Sequence, residues 1–201
     1  MRRLSEPRSQ AGKNSTAVSQ AQPGSGVRAL AGGGPAGDRP VAAVALEGPP
    51  GPWLETVLEG VCTHLASQGV RVAVCRRLPQ GRVGDEAKDT GRYRAAGARV
   101  TALAAPGLLQ VTWEAADETE AVALLAKMRP DLDLVLVEGF PAASLPWIGV
   151  VPSDCPDWRG NTAGCLALMA EKTVATAPAP VFGPGQVEAM ARFILRRLGI
   201  R

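Results

Sequence analysis

The segment of residues 41–61 most constrains what this chain can fold into. It reads VAAVALEGPPGPWLETVLEGV. Its first six residues are all apolar, which is typical of a central strand of a parallel sheet with both faces buried. A loop rich in Gly and Pro follows, and apolar residues then recur at helical spacing until Gly69, where the helix is predicted to end. The segment therefore predicts a strand, a loop and a helix in succession.

This layout is that of a phosphate-binding loop, but the residues that bind phosphate there are missing. In the pattern G-x-x-x-x-G-K-[ST], backbone N–H groups and a lysine hold the phosphates, and a hydroxyl holds Mg²⁺. Counted from Gly48, the last three positions of the pattern are Trp53, Leu54 and Glu55. The loop also contains prolines, which have no N–H to donate. The same residues also have a purely structural interpretation, because Pro52 and Glu55 both favour the start of a helix.

The rest of the chain alternates further apolar strands with amphipathic helices. We predict strands at 70–75, 132–137, 147–151 and 174–177, helices at 88–96, 118–128 and 186–198, and an antiparallel hairpin at 98–104 and 108–113. This alternation predicts an α/β fold of the P-loop-NTPase type, with a mostly parallel sheet flanked by helices.

Residues 1–40 differ from the rest in composition. They hold six basic and two acidic residues and are rich in Gly, Ala, Ser, Gln and Pro. We predict a disordered, low-complexity tail here and one domain over residues 41–201; a transit peptide is the alternative for the tail. The tail accounts for the net charge of +3, so the near-neutral domain gives no indication of nucleic-acid binding. No apolar run is long enough to span a membrane, and we expect a cytoplasmic protein.

The cysteines and the single histidine do not predict a catalytic centre. Cys155 and Cys165 lie in a predicted loop, separated by nine residues, without the C-x-x-C pairs of a zinc site. Free thiols are the expected state, and a disulfide or a metal site remains the alternative. His64 lies on the first helix, and no Ser-His or Cys-His set is apparent.

Three polar features are predicted at the carboxyl edge of the sheet, where α/β proteins bind ligands. They are the loop after Leu46, the arginines Arg76 and Arg77 after the second strand, and Glu138 after the strand at 132–137. Arginine side chains match phosphate geometry well and could replace the missing lysine. The alternative is a solvated loop.

Two segments resemble motifs of a known family. Residues 87–98, AKDTGRYRAAGA, and residues 133–140, DLVLVEGF, are similar to the K-D-T and V-E-G-F motifs of the molybdopterin-guanine dinucleotide biosynthesis protein B family. The order and spacing of these segments agree with that family, and the resemblance covers roughly residues 41–151.

The resemblance implies a P-loop GTP-binding homodimer that assists the enzyme that attaches GMP to molybdopterin. It implies GTP and Mg²⁺ as cofactors, molybdopterin as a further ligand, and Glu138 as the residue that positions Mg²⁺ or water. Carried over to this sequence, the expected nucleotide-binding residues are Gly48, Gly51, Thr56, Arg76, Arg77, Lys88, Asp89, Arg92, Arg94 and Gly139.

Two functions follow from the family motifs and the altered loop. The first is an accessory GTP-binding protein of molybdenum-cofactor biosynthesis with weak or absent GTP hydrolysis. The alternative is a non-catalytic scaffold or cofactor-delivery protein that binds a guanylyltransferase or a molybdoenzyme rather than a nucleotide.

Overall fold

The structure is a computed structural model that describes residues 41–78, 89–113, 119–139, 145–154, 163–174, 177 and 179–201. The tail predicted to be disordered lies outside these residues. The strands are β1 (Ala42–Glu47), β2 (Val72–Arg76), β3 (Val100–Ala105), β4 (Leu108–Trp113), β5 (Leu134–Glu138), β6 (Trp147–Val151), β7 (Cys165–Ala170) and β8 (Val181–Phe182). The helices are α1 (Pro52–Ser67), α2 (Asp89–Ala95), α3 (Thr119–Met128) and α4 (Val187–Leu198), the last preceded by a 3₁₀ turn at Pro184–Gln186.

Six strands form one sheet in the order β2-β5-β1-β6-β7-β8. Every pair of neighbouring strands in this sheet is parallel. Parallel strands need crossover connections, and α1 supplies the one between β1 and β2. The predicted α/β fold class with a mostly parallel sheet is confirmed.

The two faces of the sheet bury two separate hydrophobic clusters. On one face, Val44 and Leu46 of β1 pack with the apolar residues of α1 and α4. On the other face, Ala43 and Ala45 pack with Val122 and other residues of α3. Successive side chains of a strand point to opposite faces, so the unbroken apolar run of β1 supplies both clusters.

The second strand differs from its prediction as a buried strand. β2 lies at one end of the sheet and pairs only with β5 among the described strands. Its residues are half-buried or exposed, and Val74 is 44% exposed. An apolar sequence therefore predicted the strand correctly but not its position, because position depends on which strands pair.

The predicted antiparallel hairpin is confirmed. β3 and β4 form a separate two-stranded sheet in which Val100 faces Trp113 and Ala105 faces Leu108. Gly107 makes the turn with a φ of 75°, a conformation that glycine adopts without strain. Much of the hairpin's apolar surface is exposed.

The C-terminal part of the sheet differs from prediction. Residues 174 and 177 are outside any strand, whereas β7 and β8 were not predicted. β7 is held by its parallel pairing with β6, and Phe182 of β8 packs on Phe193 of α4 with ring centroids 5.5 Å apart. Cys165 begins β7 instead of lying in a loop and is a free cysteine, while Cys155 lies outside the described residues.

Within the described ranges, no helix is both long enough and apolar enough to cross a lipid bilayer.

Candidate ligand site at the carboxyl edge of the sheet

The sheet brings the ends of β1, β2 and β5 together. In the parallel register Leu46 of β1 and Arg76 of β2 both face Glu138 of β5. Side chains in register on neighbouring strands point to the same face. Because Leu46 belongs to the cluster beneath α1, Arg76 and Glu138 also point to that face. The predicted convergence of the β1, β2 and β5 ends at one edge is confirmed by this register.

The loop after β1 has a structural need for its first glycine. A Cβ atom at Gly48 would collide with the carbonyl oxygen of Val150 on β6. The loop passes so close to β6 that no larger residue fits without a shift. A Cβ atom at Gly51, by contrast, would meet no heavy atom of the described residues within 4 Å. Gly48 therefore has a packing role that does not depend on a phosphate.

Leu54 and Glu55, at the positions where the P-loop pattern has its lysine and its hydroxyl, lie in different surroundings in the first turn of α1. Leu54 is 4% exposed and belongs to the core cluster beneath α1. Glu55 is exposed, and its backbone N–H donates to the carbonyl of Gly51 at 3.3 Å. Thr56 is also exposed. The chain thus uses position 54 for packing, whereas Glu55 and Thr56 face solvent.

Arg76 joins two carboxylates at this edge. Its Nη1 and Nη2 atoms both donate to Oε1 of Glu55 at 3.2 Å. Its Nε atom lies 3.3 Å from Oε1 of Glu138. The Glu138 side chain is 7% exposed, and its Oε2 atom has no hydrogen-bond partner within the described part of the chain.

Arg77 and Gly139 complete the junction between β2 and β5. The backbone N–H of Arg77 donates to the carbonyl of Glu138 at 2.8 Å, and its Nη1 donates to the carbonyl of Gly139 at 3.5 Å. Gly139 has a φ of 77°, and a Cβ atom there would lie 2.9 Å from the Arg77 carbonyl oxygen. Both the backbone angle and the close approach favour glycine at this position.

The residues predicted on α2 belong to a different part of the molecule. α2 packs against β3 of the hairpin. Asp89 and Arg92 form an ion pair of 3.2 Å with both side chains 76% exposed. Arg94 is on the same short helix, and Lys88 lies outside the described residues. α2 therefore lies with the hairpin, and Asp89 and Arg92 are paired with each other.

Sequence reasoning did not single out two buried polar atoms near the same edge. Oε1 of Glu47, at the end of β1, and Nε1 of Trp53 are buried and have no hydrogen-bond partner among the residues the structure describes. Burial raises the pKa of Glu47 above its usual range. The signal in the sequence was a charged residue at the end of a strand that is otherwise apolar.

A second concave region lies at the end of β7 and was not predicted. A cavity of about 660 Å³ is lined by residues 170–174 and by Val181, Gly183 and Pro184. In its wall, Glu171 accepts a 2.6 Å hydrogen bond from the backbone N–H of Ser153, and this bond lowers the pKa of the carboxyl group. β7, which ends just before Glu171, was not predicted either.

The residues at the β1 edge do not fit a Mg²⁺–triphosphate. Leu54 is in the core, a carboxylate at Glu55 replaces the hydroxyl, and Glu138 points its Oε1 at a guanidinium. A negative side chain beside a triphosphate repels it. Over the described ranges, no three His, Cys, Asp or Glu residues are grouped so that they could hold a metal ion.

Taken together, a central strand, a glycine-containing loop, a helix and an acidic residue at the end of the neighbouring strand define an α/β protein with the P-loop layout. The family model described as molybdopterin guanine dinucleotide synthesis protein B (MobB) matches residues 54–170, which is more than half of the chain. The chain belongs to this family. The match begins at Leu54, so it leaves out residues 48–53 of the altered loop.

Relatives agree with this assignment. A probable molybdopterin-guanine dinucleotide biosynthesis adapter protein of Bacillus subtilis (strain 168) is 33% identical over 103 residues, which are 48% of this chain and 57% of the relative. The match thus spans little more than half the length of that relative. A crystal structure of molybdopterin-guanine biosynthesis protein B is 25% identical with a TM-score of 0.58 and covers 78% of this chain and 99% of its own. The crystal structure of Bacillus subtilis MobB is 25% identical with a TM-score of 0.62, and the match covers 78% of this chain and 97% of that chain.

Proposed function

We propose that this chain is an accessory protein of molybdopterin guanine dinucleotide biosynthesis whose P-loop-like edge has weak or no GTP hydrolysis. Membership of the MobB family supports the process. The proposal of weak or absent hydrolysis is supported by the burial of Leu54 at the position where the pattern has its lysine. A charge-assisted hydrogen bond of the kind the lysine makes contributes roughly 1.5–3 kcal/mol. Its loss therefore lowers phosphate affinity about ten- to a hundredfold.

Any nucleotide contact is proposed at the edge where β1, β2 and β5 end. The proposed ligand is GTP or molybdopterin, held without Mg²⁺. Glu138 is proposed to act through Arg76 and not as a metal ligand. The proposed contacts at this edge are Gly48, Gly51, Thr56, Arg76, Arg77 and Gly139. We propose that Lys88, Asp89, Arg92 and Arg94 bind a protein partner, since α2 packs on the exposed hairpin.

Phosphate release and thermal stability test this proposal on the full chain. With GTP and Mg²⁺ we expect no turnover above background, and we expect a rise in melting temperature with GTP that is the same with and without Mg²⁺. A ligand of the native state raises stability by mass action, so the melting temperature reports binding without turnover. Glu138→Gln is the control, because turnover that survives it comes from a contaminant. Mg²⁺-dependent turnover at an ordinary P-loop rate, lost in Glu138→Gln, would overturn the proposal.

The second candidate, a scaffold that binds a protein instead of a nucleotide, is favoured by an exposed apolar groove. A groove of about 500 Å³ runs between β2, β4 and α3, and its lining includes Val74, Leu109, Val111, Leu125 and Met128. Three of these side chains, those of Val74, Leu109 and Met128, are more than 40% exposed. Contiguous exposed apolar surface marks interaction sites. We propose a second copy of this chain as its occupant, which makes the protein a homodimer.

A further inference from the structure

At the edge that has the P-loop layout, one arginine side chain lies between two carboxylates. Three elements meet at that position: α1 carries Glu55 in its first turn, β5 ends at Glu138, and β2 ends at Arg76. Glu55 stands where the P-loop pattern has its Mg²⁺-binding hydroxyl. Glu138 ends β5, the strand between β1 and β2, and both carboxylates contact Arg76.

Both carboxylates direct an oxygen at the same guanidinium. Arg76 donates two hydrogen bonds of 3.2 Å to Oε1 of Glu55, and its Nε lies 3.3 Å from Oε1 of Glu138. One guanidinium thus neutralises part of the charge of two acidic groups that come from different elements. The second oxygen of Glu138, Oε2, is buried and has no hydrogen-bond partner among the described residues. The two carboxylates can therefore accept a further hydrogen bond or a cation.

We propose that Arg76 is a built-in cation that replaces Mg²⁺ at this site, so that ligand binding here is independent of divalent cations. The guanidinium and a metal ion cannot share the position, because like charges a few Å apart repel strongly at a partly buried site. Removing Arg76 leaves two carboxylates with no cation between them. A buried carboxylate whose partner is removed is strongly destabilising unless another cation takes its place. The Arg76→Ala protein should therefore gain a divalent-cation site that the native protein lacks.

A second arginine–carboxylate pair on the same two strands provides a matched control. Arg71, just before β2, donates from Nε and Nη2 to the two carboxylate oxygens of Asp133 at 2.9 Å. This pair joins the amino ends of β2 and β5, away from the candidate site. Arg71→Ala also removes one arginine from a carboxylate, but Asp131, the other acidic residue that interacts with Arg71, keeps its own ion pair with Arg129 at 2.9 Å.

Mn²⁺ binding, followed by electron paramagnetic resonance of the free ion, tests the proposal on the full chain. We expect no site-specific Mn²⁺ binding by the native protein or by Arg71→Ala. We expect one Mn²⁺ per chain in Arg76→Ala, bound at least about tenfold more tightly than by the native protein, a difference of about 1.4 kcal/mol. Arg76→Ala combined with Glu138→Gln should lose this site.

A fold check keeps each outcome decisive. Far-UV circular dichroism establishes whether Arg76→Ala is folded. If it is not, Arg76→Lys is used in its place. That variant retains a positive charge and should bind no Mn²⁺. Mn²⁺ should raise the melting temperature of Arg76→Ala and not of the native protein. A native protein that binds one Mn²⁺ and loses it in Glu138→Gln overturns the proposal. So does a folded Arg76→Ala that binds none, or an Arg76→Lys that binds Mn²⁺. None of these readouts depends on GTP turnover or on the proposed role in biosynthesis.

Discussion

Glu138 ends a fully buried strand with one carboxylate oxygen beside Arg76 and the other without a hydrogen-bond partner among the described residues. The V-E-G-F motif located this residue, and its predicted position at the carboxyl edge is confirmed by the β1–β5 register. The motif could not show its partner, because Arg76 lies on a strand far away in sequence. Glu47, at the end of the neighbouring strand, was not singled out, since no motif contains it.

We expect Glu47→Gln to raise the free energy of unfolding at neutral pH. Burial raises the pKa of Glu47 above the ordinary value of 4.5, so the folded state holds this proton more tightly than the unfolded chain. The native protein therefore loses stability as the pH rises from 4.5 through the folded-state pKa. The variant should not show that loss, because its amide does not ionise.

Urea unfolding of both proteins at about pH 7 and about pH 4 measures this difference. The control is Glu59→Gln, which makes the same change at an exposed position of α1. The prediction is wrong if Glu47→Gln has the same effect at both pH values, or if Glu59→Gln reproduces it.

At the scale of elements, the packing of α1 explains why position 54 cannot serve as a phosphate-binding residue. Leu54, Val57, Val61 and Leu65 recur every three or four residues and are all buried. The residue at the lysine position is therefore the first member of the core-facing stripe. Pro at the first helical position and Glu55 in the first turn both stabilise this helix start.

We expect Leu54→Lys to lower the free energy of unfolding by roughly 3 kcal/mol or more, because it places an ammonium group in an apolar core. It should not strengthen GTP binding, since the lysine cannot both stay in the buried stripe of the helix and reach the edge of the sheet. Chemical denaturation and a thermal shift with GTP measure the two effects.

The matched variant is Leu54→Met, which conserves volume and should cost less than about 1.5 kcal/mol. If Leu54→Lys keeps native stability and shows a larger GTP-dependent rise in melting temperature than the native protein, position 54 is not fixed in the core and the structural interpretation of the loop fails.

At the scale of the whole molecule, apolar surface is concentrated at the β2 end of the sheet. β2 is an edge strand, and the hairpin beside it forms its own two-stranded sheet. An edge strand with exposed apolar neighbours favours association with another chain. The proposed homodimer would cover the groove between β2, β4 and α3.

We expect Leu109→Glu to shift the protein from dimer to monomer, because a charge in the groove cannot be buried without a partner. Leu109 and Val111 share one face of β4, whereas Leu103 faces Gln110 and thus lies on the other face of the hairpin. Leu103 is 56% exposed and Leu109 is 60% exposed, so Leu103→Glu is a matched control. Light scattering during size-exclusion chromatography measures the mass. A dimer that survives Leu109→Glu, or a native monomer, contradicts the proposal.

The sequence by itself determined the elements with strong local signals. The apolar run of β1, the spacing of α1, the turn at Gly107 and the amphipathic α4 all lie where the pattern predicts them. These features depend on residues close together in the chain, so period and turn chemistry are enough to predict them. The absent lysine and hydroxyl were also visible without a structure.

Only the tertiary structure decided which elements are neighbours. It placed β2 at the edge, added β7 and β8, and packed α2 against the hairpin. It also brought Arg76 between Glu55 and Glu138, three residues that are distant in the sequence. Such contacts arise from strand order and register, which follow from packing the whole sheet and not from any local pattern. That is why the sequence located Arg76 and Glu138 at the candidate site, whereas it did not show that Arg76 contacts both Glu55 and Glu138.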